Sequence, residues 1–160
     1  MLPRVIGFCL LLVLAGCGFA LRGAASLPYQ SLYIENAGPE MGVELARAIR
    51  TTDTRVVDDP AKAQAVLQVL SQQREKQILS ISGAGRVSEY RLLYRVTFRV
   101  RDAAGKELLP VQSIELAREL TYDASRALAK EAEEAVLYRD MQSDAVQQIL
   151  RRLAGRRPTF

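Results

Sequence analysis

Four arginines fall at odd-numbered positions of the stretch YRLLYRVTFRVR, residues 90 to 101: Arg91, Arg95, Arg99 and Arg101. Tyr90, Leu92, Tyr94, Val96, Phe98 and Val100 hold the even ones. Side chains on a β-strand alternate between faces, so this spacing predicts a strand with one apolar face and one cationic face. A row of guanidinium groups is chemistry for anions, since each can hold a phosphate or carboxylate through paired hydrogen bonds. The plain alternative is the wet side of a sheet whose arginines pair with acids on the next strand. Nucleic acid is excluded by the arrangement: sheets that read RNA stack bases on aromatics of the exposed, basic face. Here the aromatics lie opposite the arginines, which is the pattern of a core.

No catalytic constellation accompanies the arginines. The chain has no histidine, so the usual general base and the commonest metal ligand are missing. The acidic neighbours Asp58–Asp59 and Glu133–Glu134 do not face each other across a cleft and read as solvated surface. Gly83-Ala84-Gly85 sits between two predicted strands and lacks the strand–turn–helix setting of a dinucleotide site. The expectation is a protein that is not an enzyme and holds no metal or small-molecule cofactor. Its 18 Arg, 4 Lys and net charge of +4 point to anionic partners.

Where such a partner would be met is read from the opening MLPRVIGFCLLLVLAGC. Arg4 supplies a short positive region, and Val5 to Leu14 form an apolar run of ten residues. A bilayer of about 30 Å needs about 20 apolar residues as a helix, so the run reads as a secretory signal core. Leu14-Ala15-Gly16-Cys17 resembles the bacterial lipobox, in which the cysteine becomes the acylated first residue. Residues 1–16 are therefore expected to be removed, Cys9 among them. That leaves Cys17 carrying covalent lipid, with no disulfide and no catalytic thiol, in keeping with an oxidising periplasm. Several acyl chains make a permanent anchor. Gly18 stands where an aspartate would resemble an inner-membrane retention signal, which favours the outer membrane.

The elements that must position the arginines follow from periodicity. With 49% hydrophobic and 25% charged residues, 160 residues suit one domain with a real core. Residues 17–30 read as a lipidated N-terminus and tether, 31–154 as a single domain, and 155–160 as a short tail. SLYIEN (31–36) is a first strand, and Gly38-Pro39 open a helix carrying Met41, Leu45, Ala48 and Ile49 on one stripe. AVLQVLSQQREKQILSIS (65–82) is a long strand in which Leu67, Val69, Leu79 and Ile81 share one parity. Its polar middle predicts a sheet edge or an overhang. SGAGR (82–86) is a turn, the arginine strand follows, and SIELARELTY (113–122) is the next strand. A long helix runs from about Ser125 to Leu153, with Ala135, Tyr138, Met141, Ala145, Ile149 and Leu153 as its stripe. The order β-α-β-β-β-α predicts an α/β two-layer sandwich: a mixed sheet of about four strands with two helices packed on one face.

Pairing the last two strands so that residue numbers sum to 210, with a bulge near Pro110, sets Arg95 against Glu115 and Arg91 against Glu119. Opposite charges across a ladder are weakly stabilising. Arg99 and Arg101 stay unmatched in this register and are the candidates for a partner surface.

These residues resemble the LPS-assembly lipoprotein LptE family of Gram-negative bacteria. LAGCGFALRG (14–23) is similar to its lipobox and the residues after it. GRVSEYRLLYRVTFRVRD (85–102) resembles its glycine turn, Glu-Tyr pair and long strand. ALAKEAEEAVLYRDMQSDAVQQILRRL (127–153) resembles its last helix. The resemblance implies a non-enzymatic lipoprotein of the outer membrane. Such a protein plugs and helps assemble the LptD β-barrel as a heterodimer and assists insertion of lipopolysaccharide into the outer leaflet. It also implies direct lipopolysaccharide binding by basic residues near the glycine turn and at the start of the last helix, which falls here on Arg86 and Lys130. Gly83 occupies the place in the turn where a basic residue is expected, a departure from the pattern. The alternative is a free-standing periplasmic lipoprotein that binds a lipid or envelope component without a barrel partner.

Overall fold

A computed structural model describes residues 26–155; Cys17 and the rest of the lipobox lie outside the described residues. The first strand, β1 (Ser31–Glu35), is followed by helix α1 (Pro39–Ile49) and the short strand β2 (Arg55–Val56). Three long strands follow, β3 (Ala65–Ile81), β4 (Val87–Arg101) and β5 (Glu107–Thr121), and helix α2 (Ala127–Ala154) closes the domain. The strands form one sheet in the order β2-β1-β3-β4-β5. β1 runs parallel to both β2 and β3, whereas β3–β4 and β4–β5 are antiparallel. The sheet has five strands rather than four because Arg55 and Val56 pair with Ser31 and Leu32. Two residues are too few to show a period.

Each helix is where its apolar stripe demands. Pro39 sits in the first turn of α1, behind Gly38 at φ 69°, and Met41, Leu45 and Ile49 are buried. Proline has no N–H to orphan there, and only glycine takes that φ without strain. In α2 the buried residues are Tyr138, Met141, Gln142, Ala145, Val146, Ile149 and Leu153. Ala135, expected on the same stripe, is exposed. The first eleven residues of α2 bury nothing fully, because the helix starts beyond the end of α1 and has only the sheet beneath it. The core between helices and sheet also takes Leu92, Tyr94, Val96, Phe98 and Val100 of β4, and Leu27 and Tyr29 ahead of β1.

Two irregularities decide which face each side chain of β3 reaches. The β3–β4 register shifts between Val69 and Ser71 and again between Ile78 and Ile81. Leu67 and Val69 face the helices, but beyond the first bulge Gln72, Arg74 and Lys76 take that face, paired with Val96, Tyr94 and Leu92. The single parity expected from Leu67 to Ile81 therefore does not hold, since an inserted residue swaps faces. The expected edge character does hold: Gln72 to Ile78 are all exposed. In β5 a shift between Leu109 and Gln112 places the expected bulge at Pro110 and Val111.

Candidate functional site

The arginine strand lies in the middle of the β3-β4-β5 ladder, so its cationic face has a neighbour on either side. Toward β5 the register is the one that summing to 210 requires, with Arg95 opposite Glu115 and Arg91 opposite Glu119. Arg95 donates from Nε and one terminal nitrogen to Glu115 at 2.9 and 2.6 Å, which holds its guanidinium pKa above the ordinary value. Arg91 reaches Glu119 only at 3.9 Å, with both side chains well exposed.

Toward β3 and β1 the structure differs from the expectation that Arg99 and Arg101 stay unmatched. Arg99 donates to Gln68 Oε1 at 2.7 Å. Arg101 reaches across β3 to β1 and donates to both oxygens of Glu35 at 3.2 Å. Only about a quarter of each of these two side chains is exposed. Strand order supplies the partners: β1 is inserted beside β3, so an acid distant in sequence ends up two strands from Arg101. The outer face is thus a lattice of compensated charges more than an open cationic strip.

Arg86 and Lys130 are brought to the same end of the molecule. Arg86 closes the β3–β4 hairpin, its carbonyl accepting from Ser82 N–H at 2.7 Å, with Gly85 at φ 74° in between. Lys130 lies in the first turn of α2, which begins just beyond the end of β5. It donates to Glu133 at 2.9 Å, and its side chain is only 16% exposed. The start of the helix is pinned beside it by Asp123, which accepts from the Ser125 hydroxyl and N–H at 2.8 and 2.9 Å. Those bonds pull the Asp123 carboxyl below its ordinary pKa.

A second basic cluster was not singled out from the sequence. On the helix side of β3, Arg74 lies 5.5 Å from the ring centroid of Tyr138 and 6.0 Å from that of Tyr94. Lys76 lies 4.2 Å from the ring of Tyr90 and 5.8 Å from that of Tyr122, and those two rings meet edge to face at 5.2 Å. Lys76 is also paired with Glu134 of α2 at 2.6 Å. Tyr138 donates its hydroxyl to the Glu75 carbonyl at 2.8 Å. Burial pushes the Tyr94 hydroxyl up to about 12, against the opposing pull of Arg74, and raises that of Tyr138 as well. Arg74, Lys76, Glu131, Glu134, Ala135 and Tyr138 line an open groove of about 480 Å³ between β3 and α2. The signal in the sequence was the run QQREKQ, whose even members face the helices only because of the Leu70 bulge.

Across the helix layer, Glu44 of α1 accepts hydrogen bonds from Gln142 and Ser143 of α2. Gln142 is buried and satisfied by this bond. Among the described residues, no group of three or more His, Cys, Asp or Glu is placed to hold a metal ion. No described helix is long and apolar enough to cross a membrane.

Similarity to known proteins agrees with this architecture. Residues 29–153 match the family model LptE, described as lipopolysaccharide-assembly. The LPS-assembly lipoprotein LptE of Yersinia enterocolitica is 32% identical over 147 residues, covering 89% of this chain and 70% of that protein. That of Pectobacterium atrosepticum is 31% identical, covering 89% and 79%. Among solved structures, an uncharacterised lipoprotein B from Nitrosomonas europaea superposes with a TM-score of 0.74 at 47% identity, covering 86% of this chain and 90% of that one. The rare lipoprotein B of Shewanella oneidensis gives 0.68 at 29% identity, covering 78% and 93%. A model matched across nearly the whole described domain, on a fold shared with lipoproteins, makes this chain a member of the LptE lipopolysaccharide-assembly family.

Proposed function

We propose that the folded domain plugs the lumen of an LptD-like outer-membrane β-barrel, helps that barrel assemble, and assists passage of lipopolysaccharide into the outer leaflet. In this reading, lipid on Cys17 anchors the chain to the periplasmic side of the outer membrane. The observation that carries it is the outer face of the sheet. Arg95–Glu115, Arg101–Glu35 and Arg99–Gln68 cover it with polar groups that already satisfy one another. Such a face suits the polar, charged interior of a large barrel and has little unbalanced charge left to capture a free anion. Arg99 and Arg101 then serve the wall of the plug as braced side chains.

Lipopolysaccharide contact is assigned to Arg86 and Lys130, which share one end of the domain. Phosphorylated sugar would meet Arg86 directly, while at Lys130 it would compete with Glu133. The reading is tested by purifying the tagged full-length chain from native outer membranes. A stoichiometric barrel should copurify; recovery as a free monomer alone would refute the plug. Cys17→Ala should release the chain from the membrane when the barrel is absent. An Arg86→Glu, Lys130→Glu double variant that binds lipopolysaccharide as well as wild type would remove those two contacts and leave the plug standing.

A further inference from the structure

We infer that the distal half of β3 is a strand-docking edge, where an extended segment of the barrel partner adds to the sheet in the row that β1 begins. The inference rests on the plug reading for the source of that segment. β1 pairs with β3 only as far as Glu35 opposite Gln68. Asn36 at φ 59° and Gly38 at φ 69° then turn the chain off the sheet into α1, and Gln72 ties the turn down by donating to the Ala37 carbonyl at 2.6 Å. From Leu70 to Ile81, roughly 40 Å of strand, β3 has β4 on one side and, among the described residues, no strand on the other. The sheet is five strands wide at one end and three at the other.

The backbone groups along this edge can be assigned. The N–H and C=O of one residue in a strand point the same way, and the direction alternates along the chain. The Tyr122 N–H bonds the Ser88 carbonyl, and the unbroken β4–β5 register from there to Phe98 turns the even residues of β4 toward β5 and Arg91, Leu93 and Arg95 toward β3. Their partners Gln77, Glu75 and Gln73 are therefore bonded to β4, and Gln72, Arg74 and Lys76 present their N–H groups and carbonyls to the vacant row. Rows of unpaired backbone groups of this kind template strand addition. Leu70, Ile78 and Ile81, at 44%, 57% and 60% exposure, mark the two ends of the edge with apolar side chains.

Charge selects a partner of another sequence over a second copy. A two-fold axis joining two antiparallel edges must set one residue against itself. Centring it on Arg74 or Lys76 opposes that cation to its own copy. Centring it on Glu75 opposes Glu75 to Glu75 and Arg74 to Lys76. Like charges directly opposite are destabilising, so each register centred on this triplet is disfavoured. A complementary strand carries an acid opposite Arg74, whose pairing with Glu40 is long at 3.5 Å and exposed.

The test is amide hydrogen exchange at single-residue resolution on the lipidated full-length chain, free and in complex with its barrel in the same detergent. The amides of Gln72, Arg74 and Lys76 should slow at least tenfold in the complex, while those of Gln73, Glu75 and Gln77, already bonded to β4, change far less. Lys76→Pro removes an outward N–H without touching the β4 ladder and should weaken the complex at least tenfold, whereas Lys76→Ala should not. A stoichiometric complex whose outward amides exchange at the free rate overturns strand docking and leaves the plug intact. Slowing in the free chain that grows with its concentration assigns the edge to a second copy and also overturns it. Failure to form any complex removes the plug reading and this inference together.

Discussion

Removing the carboxylate of Glu35 isolates the question of which arginines on β4 are braced. In the Arg101–Glu35 pair one nitrogen lies 3.2 Å from both oxygens, and about a quarter of each side chain is exposed. At an effective dielectric constant of about 20, that separation corresponds to about 5 kcal/mol of attraction. Fixing the two long side chains costs about 1.5–2 kcal/mol each, leaving a coupling of about 1–2 kcal/mol. For Arg91–Glu119, at 3.9 Å with both groups well exposed, the dielectric constant approaches that of water and the attraction falls to about 1 kcal/mol. That is less than the cost of ordering, so its coupling should be near zero. The assay is a pair of double-mutant cycles, Arg101→Ala with Glu35→Ala and Arg91→Ala with Glu119→Ala, on the lipid-free chain unfolded in urea. Urea is uncharged, so the cycles can be repeated in 1 M NaCl, where exposed pairs are screened and the half-buried one largely survives. A coupling for Arg91–Glu119 equal to or larger than that for Arg101–Glu35 would refute the argument that strand order, and not charge alone, braces this face.

Two further outcomes follow from the core. Phe98→Ala, at a fully buried position between sheet and helices, should cost about 3–5 kcal/mol in the same urea assay; a loss below about 1 kcal/mol would place Phe98 outside the core. Tyr94 titrates at about 12 in the fold against about 10 in an unfolded chain. The fold thus favours the neutral phenol, so its contribution is complete below pH 10 and is lost as pH rises from 10 to 12. Wild type should lose about 2–3 kcal/mol more than Tyr94→Phe over that window, and equal losses would show that Tyr94 ionises without strain.

Much of this protein was legible from residue order because the relevant physics is local. Alternation in YRLLYRVTFRVR defined a strand with its aromatics inward, and Tyr94 and Phe98 are buried. The 3.6-residue stripe of Met41, Leu45 and Ile49 and that of Met141, Ala145 and Ile149 defined two helices on one face. Ladder pairing of Arg95 with Glu115 was legible because a short hairpin connection limits the possible registers. The partner of Arg101 was not: Glu35 lies 66 residues away, and only the insertion of β1 beside β3 brings it near. The Leu70 bulge was equally hidden, since one inserted residue leaves no mark on composition yet moves Arg74 and Lys76 onto the helix face. Sequence by itself determined the two helices, most of the strands and which side chains seek the core, because those preferences act within a turn or a pleat. Tertiary structure alone decided which charges are neutralised and where β3 is left without a neighbour, because both depend on strand order and on where β1 turns away.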